Sequence, residues 1–559
     1  MIETSVNASQ IFVRTDQFTF SKDDIFNHFI SPLISRIDKL PKDFVYKNIS
    51  GLMSKKDSID HILELISNIS LKKEYQNIIT SLDKNLLNEL KYLSEYLRKS
   101  LELYDKYLIL HYKIKHNLSK ISNELNTNLN DFFDDILTKL DCIHVMTEHQ
   151  YIGANVSLSV NNQSKHYLPT DYASLENIET IEKVSFSLPC TFNSKSNTRS
   201  GFFSEIQSQF NLKHLNTTEF FHIPLKIGKL LMHVYCHKKY LHHGLSLFKL
   251  FSPSTDDLSN NETSISAILI FGVKEKKFDS SYYFDKKNDL FLGTIYDTNK
   301  NDYFGYMKKM LLTLHNLYYI KKEALPIHGA MVTVKLLNNS VKNIIIIGDS
   351  GAGKSETLEA FRLIGDSMIK EMKIVFDDMG IITYNQKTNN FLAYGTETGA
   401  FVRIDDLENK FVFENINNSI LLNPNKINAR LLINVTDYNT VIKGTEIDII
   451  LYANNYDNVN NPIKIFSDKS EAVKVFSEGK RLAKGTTSEL GMAKNFFANP
   501  FGPVQEEKKV QILMNRYFEQ FFNNKIILGE IYTKLAIDGY EMEGPRKAAE
   551  SLLNLLKDQ

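Results

Sequence analysis

The stretch "NIIIIGDSGAGKSETLEAF", Asn343 to Phe361, constrains the fold of this chain more than any other. Four consecutive isoleucines, Ile344 to Ile347, predict a buried strand with apolar side chains on both faces. Gly348-x-x-x-x-Gly353-Lys354-Ser355 then matches the full P-loop pattern. Leu358, Phe361 and Leu363 come next at roughly helical spacing, so the order is strand, loop, helix. In that context Gly351 and Gly353 let successive backbone N–H groups point at phosphate oxygens. The helix adds its positive N-terminal end, Lys354 a point charge, and Ser355 a hydroxyl for Mg²⁺. The expected nucleotide-binding residues are Gly348, Asp349, Ser350, Gly351, Ala352, Gly353, Lys354, Ser355 and Glu356, and the expected ligand is ATP. The plain alternative is a glycine turn between a strand and a helix.

A phosphate loop of this kind needs a second anchor for its metal. "MKIVFDDMGIITYN" offers one: the apolar run Ile374-Val375-Phe376 delivers Asp377 and Asp378 at the end of a strand, where such sites form. Asp378 is expected to be the direct or water-mediated ligand and Asp377 its neighbour.

At 559 residues the chain has room for two or three domains. Lysine plus arginine equal aspartate plus glutamate, 66 each, so no basic field points to nucleic acid. Three scattered cysteines, Cys142, Cys190 and Cys236, do not make a disulfide framework. The N-terminal stretch lacks the pattern of a signal peptide, and no apolar run reaches membrane-spanning length. The expected location is therefore the cytoplasm, with no membrane partner.

Residues 1–150 contain one glycine, Gly51, and two prolines, Pro32 and Pro41. Their long apolar-periodic segments predict an N-terminal helical domain with charged outer faces. Its leucines and tyrosines read as core, and docking of a protein partner is the alternative. From about Tyr151 the pattern turns to short β-rich runs, predicting a β-rich α/β domain over 151–300 ahead of a catalytic domain over 301–559. Within the β-rich part, His233, Cys236, His237, His242 and His243 have mixed metal-ligand spacing. His233 and His237 share one face of a strand and Cys236 lies on the other, which favours ordinary strand and turn residues.

Upstream of the glycine-rich turn, "DYFGYMKKMLLTLHNLYY" places Lys308 and Lys309 at the start of an apolar-periodic helix. "ALPIHGAMVTV" places His328 at the entrance to a strand. This order (lysine pair, histidine strand, P-loop, Asp-Asp strand end) resembles the phosphoenolpyruvate carboxykinases, especially the ATP-dependent type. The resemblance covers about residues 290 to 500; "INARLLINV" is similar to that family's arginine-bearing strand and "KRLAKGTTSEL" to its adenine-side loop. It implies a mixed-sheet nucleotide-binding domain and a second metal, Mn²⁺, held by Lys309, His328 and Asp378, with Ser355 on the nucleotide's Mg²⁺. It also implies that Arg430 neutralises the transferring phosphoryl group and that oxaloacetate yields phosphoenolpyruvate. A lysine ligates only without its proton, and a nearby dication lowers its pKa.

The chain departs from that family too. No stretch matches its carboxylate-gripping arginine well; Arg199 in "NTRSGFF" comes nearest. Letter for letter, "GDSGAGKSE" is closer to HPr kinase/phosphorylase, in which the equivalents of His328 and Asp377 would act on a hydroxyl. Three readings are open: a carboxykinase acting on a small carboxylate, a kinase acting on a hydroxyl of a protein or small molecule, and a non-catalytic nucleotide-binding regulator whose output is the helical domain.

Overall fold

The computed structural model describes residues 168–557, save for 187, 200, 209, 213–214, 255–263, 275–279, 366–367, 405–414 and 484–490. Before residue 168 it describes the strands Val6–Asn7, Gln10–Ile11, His144–Gln150 and Ala154–Asn161. The expected helical domain over 1–150 otherwise lies outside the described residues. The chain divides into two compact units, and residues 161–559 belong to the second together with 149–154. Every candidate site residue lies in this second unit.

The architecture of the second unit is mixed α/β, built on two large sheets. The first contains β1 (Thr180–Phe186), the hairpin β2 (Phe220–Ile227) and β3 (Leu230–His237), β4 (Ala267–Val273), β5 (Ser281–Asp285) and β6 (Leu290–Tyr296). Their order is β1-β2-β3-β4-β6-β5, with β4 parallel to both β3 and β6. Every residue of β3, β4 and β6 is buried, as expected of parallel strands covered on both faces.

Helix α1 (Phe304–Lys321) comes next, with fourteen of its eighteen residues buried. It is buried nearly all round because it packs on β4 and β6 of the first sheet and also on the second. The expected domain boundary at residues 300/301 therefore falls just before a helix that contacts strands from either side of it.

The second sheet holds β7 (Leu325–Leu336), β8 (Val341–Ile347), β9 (Ile369–Phe376), β10 (Met379–Asn385), β11 (Asn390–Gly395), β14 (Ile449–Asn454), β15 (Ile463–Ile465) and β16 (Ile527–Tyr532). The path is β11-β10-β7-β8-β14-β16-β15, with β9 also pairing β7. β8, β14 and β16 are parallel and the rest antiparallel. The isoleucine run explains the layering. Ile345 and Ile347 enter a core with Tyr517 and Phe518 of helix α4 (Glu507–Asn523) and Phe476 of α3 (Lys469–Glu478). Ile344 and Ile346 enter another with Phe361 of α2 (Lys354–Ile364) and Leu552 of α5 (Glu543–Lys557). Each such side chain contributes about 1.5–3 kcal/mol on burial. One residue of the α2 pattern departs from expectation: Leu363 is exposed while Leu358 and Phe361 are buried. A smaller sheet pairs β12 (Gly399–Arg403) with β13 (Arg430–Asn434). Among the described residues no helix is long and apolar enough to cross a membrane.

Candidate functional site

The site forms where β7 changes partner. Leu325 to His328 pair with β10, and Met331 to Leu336 pair with β9. Asp377 and Asp378 fill the break between those two strands. Asp378 has φ 83°, a left-handed conformation rare for a residue with a side chain. Its carbonyl oxygen accepts from the Gly329 N–H at 3.0 Å, and its carboxylate meets the side chain of His328. Asp377 Oδ1 accepts the Asp378 N–H at 3.0 Å.

Two segments remote in sequence, the start of α1 and the His328 strand, converge on the Asp378 carboxylate. Lys308 Nζ and Lys309 Nζ, from the first turns of α1, each donate to Oδ2 at 2.7 Å. His328 Nε2 lies 2.9 Å from Oδ1. Lys308 also lies 2.9 Å from Glu397 Oε1 as an ion pair, and neither side chain is solvent-exposed. The two lysines therefore differ. Burial works against the charge of Lys308, but Asp378 and Glu397 hold it above the ordinary lysine range. Burial brings the Lys309 ammonium down to about 8, only partly opposed by Asp378 and reinforced by Lys308. Burial pushes the Glu397 carboxyl up to about 7. Burial would also raise Asp378, yet the two lysines and His328 hold it well below the usual carboxylate range. Asp377 is raised by burial and by the Asp378 charge beside it.

Burial, and then the Lys354 charge, push His328 below the ordinary imidazole range against the pull of Asp378, and so favour the neutral ring. Its Nδ1–H donates to the Ala498 carbonyl at 2.9 Å. In the neutral ring Nε2 then carries a lone pair facing a carboxylate oxygen. Two acceptors so placed are satisfied by a shared proton or by a cation. A neutral imidazole nitrogen, an ionised carboxylate and a lysine that loses its proton near 8 form a donor set that suits a divalent transition ion.

The glycine-rich turn begins at the end of β8. The Gly348 N–H donates to the His328 carbonyl at 3.0 Å, tying the turn to the histidine strand. Gly351 and Gly353 have φ 79° and 89°, and a Cβ on Gly353 would lie 2.5 Å from Thr533 Oγ1. Asn455 Nδ2 donates to the Gly351 carbonyl and Thr533 Oγ1 to that of Ala352, fixing the loop from outside. Lys354 opens α2, its Nζ donating to the Gly348 and Asp349 carbonyls at 2.7 and 3.1 Å. Ser350 is half-buried, Ser355 exposed and Glu356 half-buried at the helix start. The Asp349 side chain is buried and ion-paired with Arg481, a role its place in the motif does not reveal.

Arg430 joins the site indirectly: its guanidinium lies 5.1 Å from the Phe401 ring centre, and Lys308 Nζ lies 5.4 Å from the same centre. Its Nε is buried without a hydrogen-bond partner among the described residues. Arg199 comes closer than its motif suggests. It lies 4.9 Å from the ring centre of Phe501, which also receives Lys309 at 4.7 Å. Sequence reasoning does not reach Glu397, Phe401 and Phe501, none of which belongs to a recognisable spacing; Arg481 falls within "KRLAKGTTSEL", but its pairing with Asp349 is not legible there.

The histidine cluster rearranges. His242 and His243 gather with Asp302 rather than with Cys236. Asp302 Oδ1 lies 3.0 Å from His243 Nε2, and Oδ2 accepts the Lys195 N–H at 3.0 Å. The other ring nitrogen of His243 is buried without a partner among the described residues, whereas a metal-bound histidine ordinarily donates from that position. The geometry suits a hydrogen-bonded brace on the segment leading to Arg199.

No protein-family model matches the sequence, and no curated protein matches it.

Proposed function

We propose that this chain is an ATP-dependent phosphoryl-transfer enzyme of the phosphoenolpyruvate carboxykinase kind, converting oxaloacetate and ATP to phosphoenolpyruvate, CO₂ and ADP. The observation that carries this reading is the meeting of Lys309, His328 and Asp378 beside the turn Gly348–Ser355. A kinase acting on a hydroxyl needs a base but has no use for a lysine of lowered pKa in that place. On this reading the turn and the start of α2 form a P-loop for ATP with Mg²⁺. Lys309, His328 and Asp378 hold Mn²⁺, which supplies Lewis-acid stabilisation of negative charge on a substrate oxygen.

The chain's own groups divide the remaining work. Lys354 and the backbone N–H groups of the turn neutralise phosphate charge. Lys308 stays charged and fixes Asp378 from the buried side, leaving Lys309 as the lysine that can present a lone pair. Arg430, whose Nε lacks a partner among the described residues, is the candidate to receive anionic oxygen, a role its planar, permanently charged guanidinium suits. Arg199, stacked on Phe501 beside Lys309, is the candidate for gripping a substrate carboxylate.

The hydroxyl-kinase reading keeps one specific support: Asp377, with its raised pKa, is suited to taking a proton. The deciding assay is oxaloacetate-dependent ATP consumption with phosphoenolpyruvate detected as product, run with Mn²⁺. Lys309→Ala should cut turnover more than about a hundredfold, beyond what the loss of an outer-shell partner produces, while ATP affinity stays near wild type. Combined with His328→Ala the losses should be non-additive, because both residues would hold one ion. No phosphoenolpyruvate from the wild-type protein would turn the assignment to the kinase.

A further inference from the structure

We infer that Asp349, though it sits inside the glycine-rich turn, serves as a positioning residue for His328, held for that purpose by Arg481 and Asn495. The inference rests on His328 acting in the centre proposed above.

Asp349 is spent on contacts away from the helix start. Oδ2 accepts from Arg481 Nε at 2.9 Å and from Asn495 Nδ2 at 2.5 Å. Oδ1 accepts the Ser350 N–H at 2.7 Å and lies 3.5 Å from His328 Nδ1. Arg481 and Asp349 are both almost wholly buried. A buried ion pair is a costly way to brace a turn, since apolar side chains of similar volume serve stability as well or better. Its position next to the imidazole gives it a use: the negative charge faces Nδ1 and favours the tautomer with the proton there. Nε2 is thereby left as the lone pair on the Asp378 side.

The segment supplying the other partner of Nδ1 is built for the same end. Phe497 and Ala498 are consecutive non-glycine residues at φ 56° and 48°, a conformation that needs support from its surroundings. It directs the Ala498 carbonyl at His328 Nδ1. The Ala498 N–H donates to the Asn495 carbonyl at 2.6 Å, and the Asn495 N–H donates to the Gly479 carbonyl at 3.2 Å. Gly479 cannot be replaced cheaply, because a Cβ there would lie 1.8 Å from the Asn495 carbonyl oxygen. Asn495 thus both steadies the carbonyl that receives the Nδ1 proton and holds the carboxylate facing that proton. The strands Lys480–Leu482 and Met492–Lys494, which hold Arg481 and lead into Asn495, pair with each other and keep the two in register.

The test measures Mn²⁺ affinity by electron paramagnetic resonance titration and ATP affinity by calorimetry on the full chain, with kcat and KM alongside. Asp349→Asn keeps the shape, removes the charge and turns one of the two acceptor oxygens into a donor. It should weaken Mn²⁺ binding about 10–100-fold, the effect typical of losing an outer-shell partner, and lower kcat, while ATP affinity changes less than about threefold. In an Asp349→Asn/His328→Ala chain, Mn²⁺ affinity should match that of His328→Ala alone. Wild-type Mn²⁺ affinity in Asp349→Asn, or losses that simply add, would overturn the inference while leaving the proposed centre intact. A silent His328→Ala would overturn the centre and the inference together. If Asp349→Asn does not fold, Asn495→Ala should weaken Mn²⁺ in the same direction, and unchanged affinity there counts against the inference equally.

Discussion

The two lysines of α1 are adjacent in sequence and chemically unlike. Lys308 neutralises two carboxylates in a space without solvent exposure, so Lys308→Met should remove the ion pair of the buried Glu397 and leave Asp378 with Lys309 and His328. A loss of about 3–5 kcal/mol in chemical denaturation is expected, partly recovered by adding Glu397→Gln. Lys309→Met should cost much less, because Asp378 keeps Lys308. On the proposed reading, the pH behaviour of the centre stems from Lys309. Its pKa falls from the ordinary 10.5 to about 8. Between those values the unfolded chain binds the proton and the folded chain does not, so the cost of burying the ammonium is full below about 8 and vanishes above about 10.5. A proton on Lys309 also competes with a metal for the same lone pair. Mn²⁺ affinity should therefore rise up to about tenfold per unit from about pH 6.5 to 8 and then level off. In Lys309→Met that slope should be shallower by one proton, and an equally steep slope would remove Lys309 from the centre.

At the scale of elements, what can be read in the sequence is what is local. The isoleucine run, the glycines of the turn and the apolar periodicity of α1 each specify their own conformation, and each forms the expected element. Asp377 and Asp378 are legible as a strand end because a buried strand cannot continue through two carboxylates. What stays hidden depends on tertiary approach. Glu397 lies just past β11 and reaches Lys308 across 89 positions of chain, and Arg481 reaches Asp349 across 132. No spacing rule encodes such pairs. Arg199 has a poor motif, yet Phe501 brings it beside Lys309. Local signals can also be tested locally. Asp468 caps α3 by accepting the Glu471 N–H at 3.0 Å, in a D-x-x-E arrangement. Asp468→Ala should cost about 0.5–2 kcal/mol, seen as a lowered melting midpoint with little change in ATP affinity, since Asp468 caps the end of α3 far from Gly479 and Arg481.

For the compact unit as a whole, α1 is the member that transmits position, because it packs on both sheets and carries both lysines. Its seat on the first sheet is Gly293, in the middle of β6. A Cβ there would lie 3.0 Å from Met310 Cγ and 3.1 Å from Leu314 Cδ1, so the helix approaches as near as a bare backbone permits. Met310 is the residue after Lys309, and Leu314 lies one turn further along the same helix. Gly293→Val sets a branched side chain against the Met310 and Leu314 side chains, which must give way, and the strain passes to α1 and β6. The expected cost is about 1–3 kcal/mol for such overpacking. Where α1 yields, the Lys308 and Lys309 ammonium groups shift out of their fitted positions on Asp378. The turn Gly348–Ser355 depends on none of these contacts, since Asn455, Thr533 and the His328 strand hold it. Gly293→Val should therefore lower the melting midpoint and weaken Mn²⁺ binding. ATP affinity, measured by calorimetry, should stay close to that of the wild type. Equal loss of both ligands would mean that the turn and the lysine helix move as one body and that α1 does not position the proposed metal centre separately.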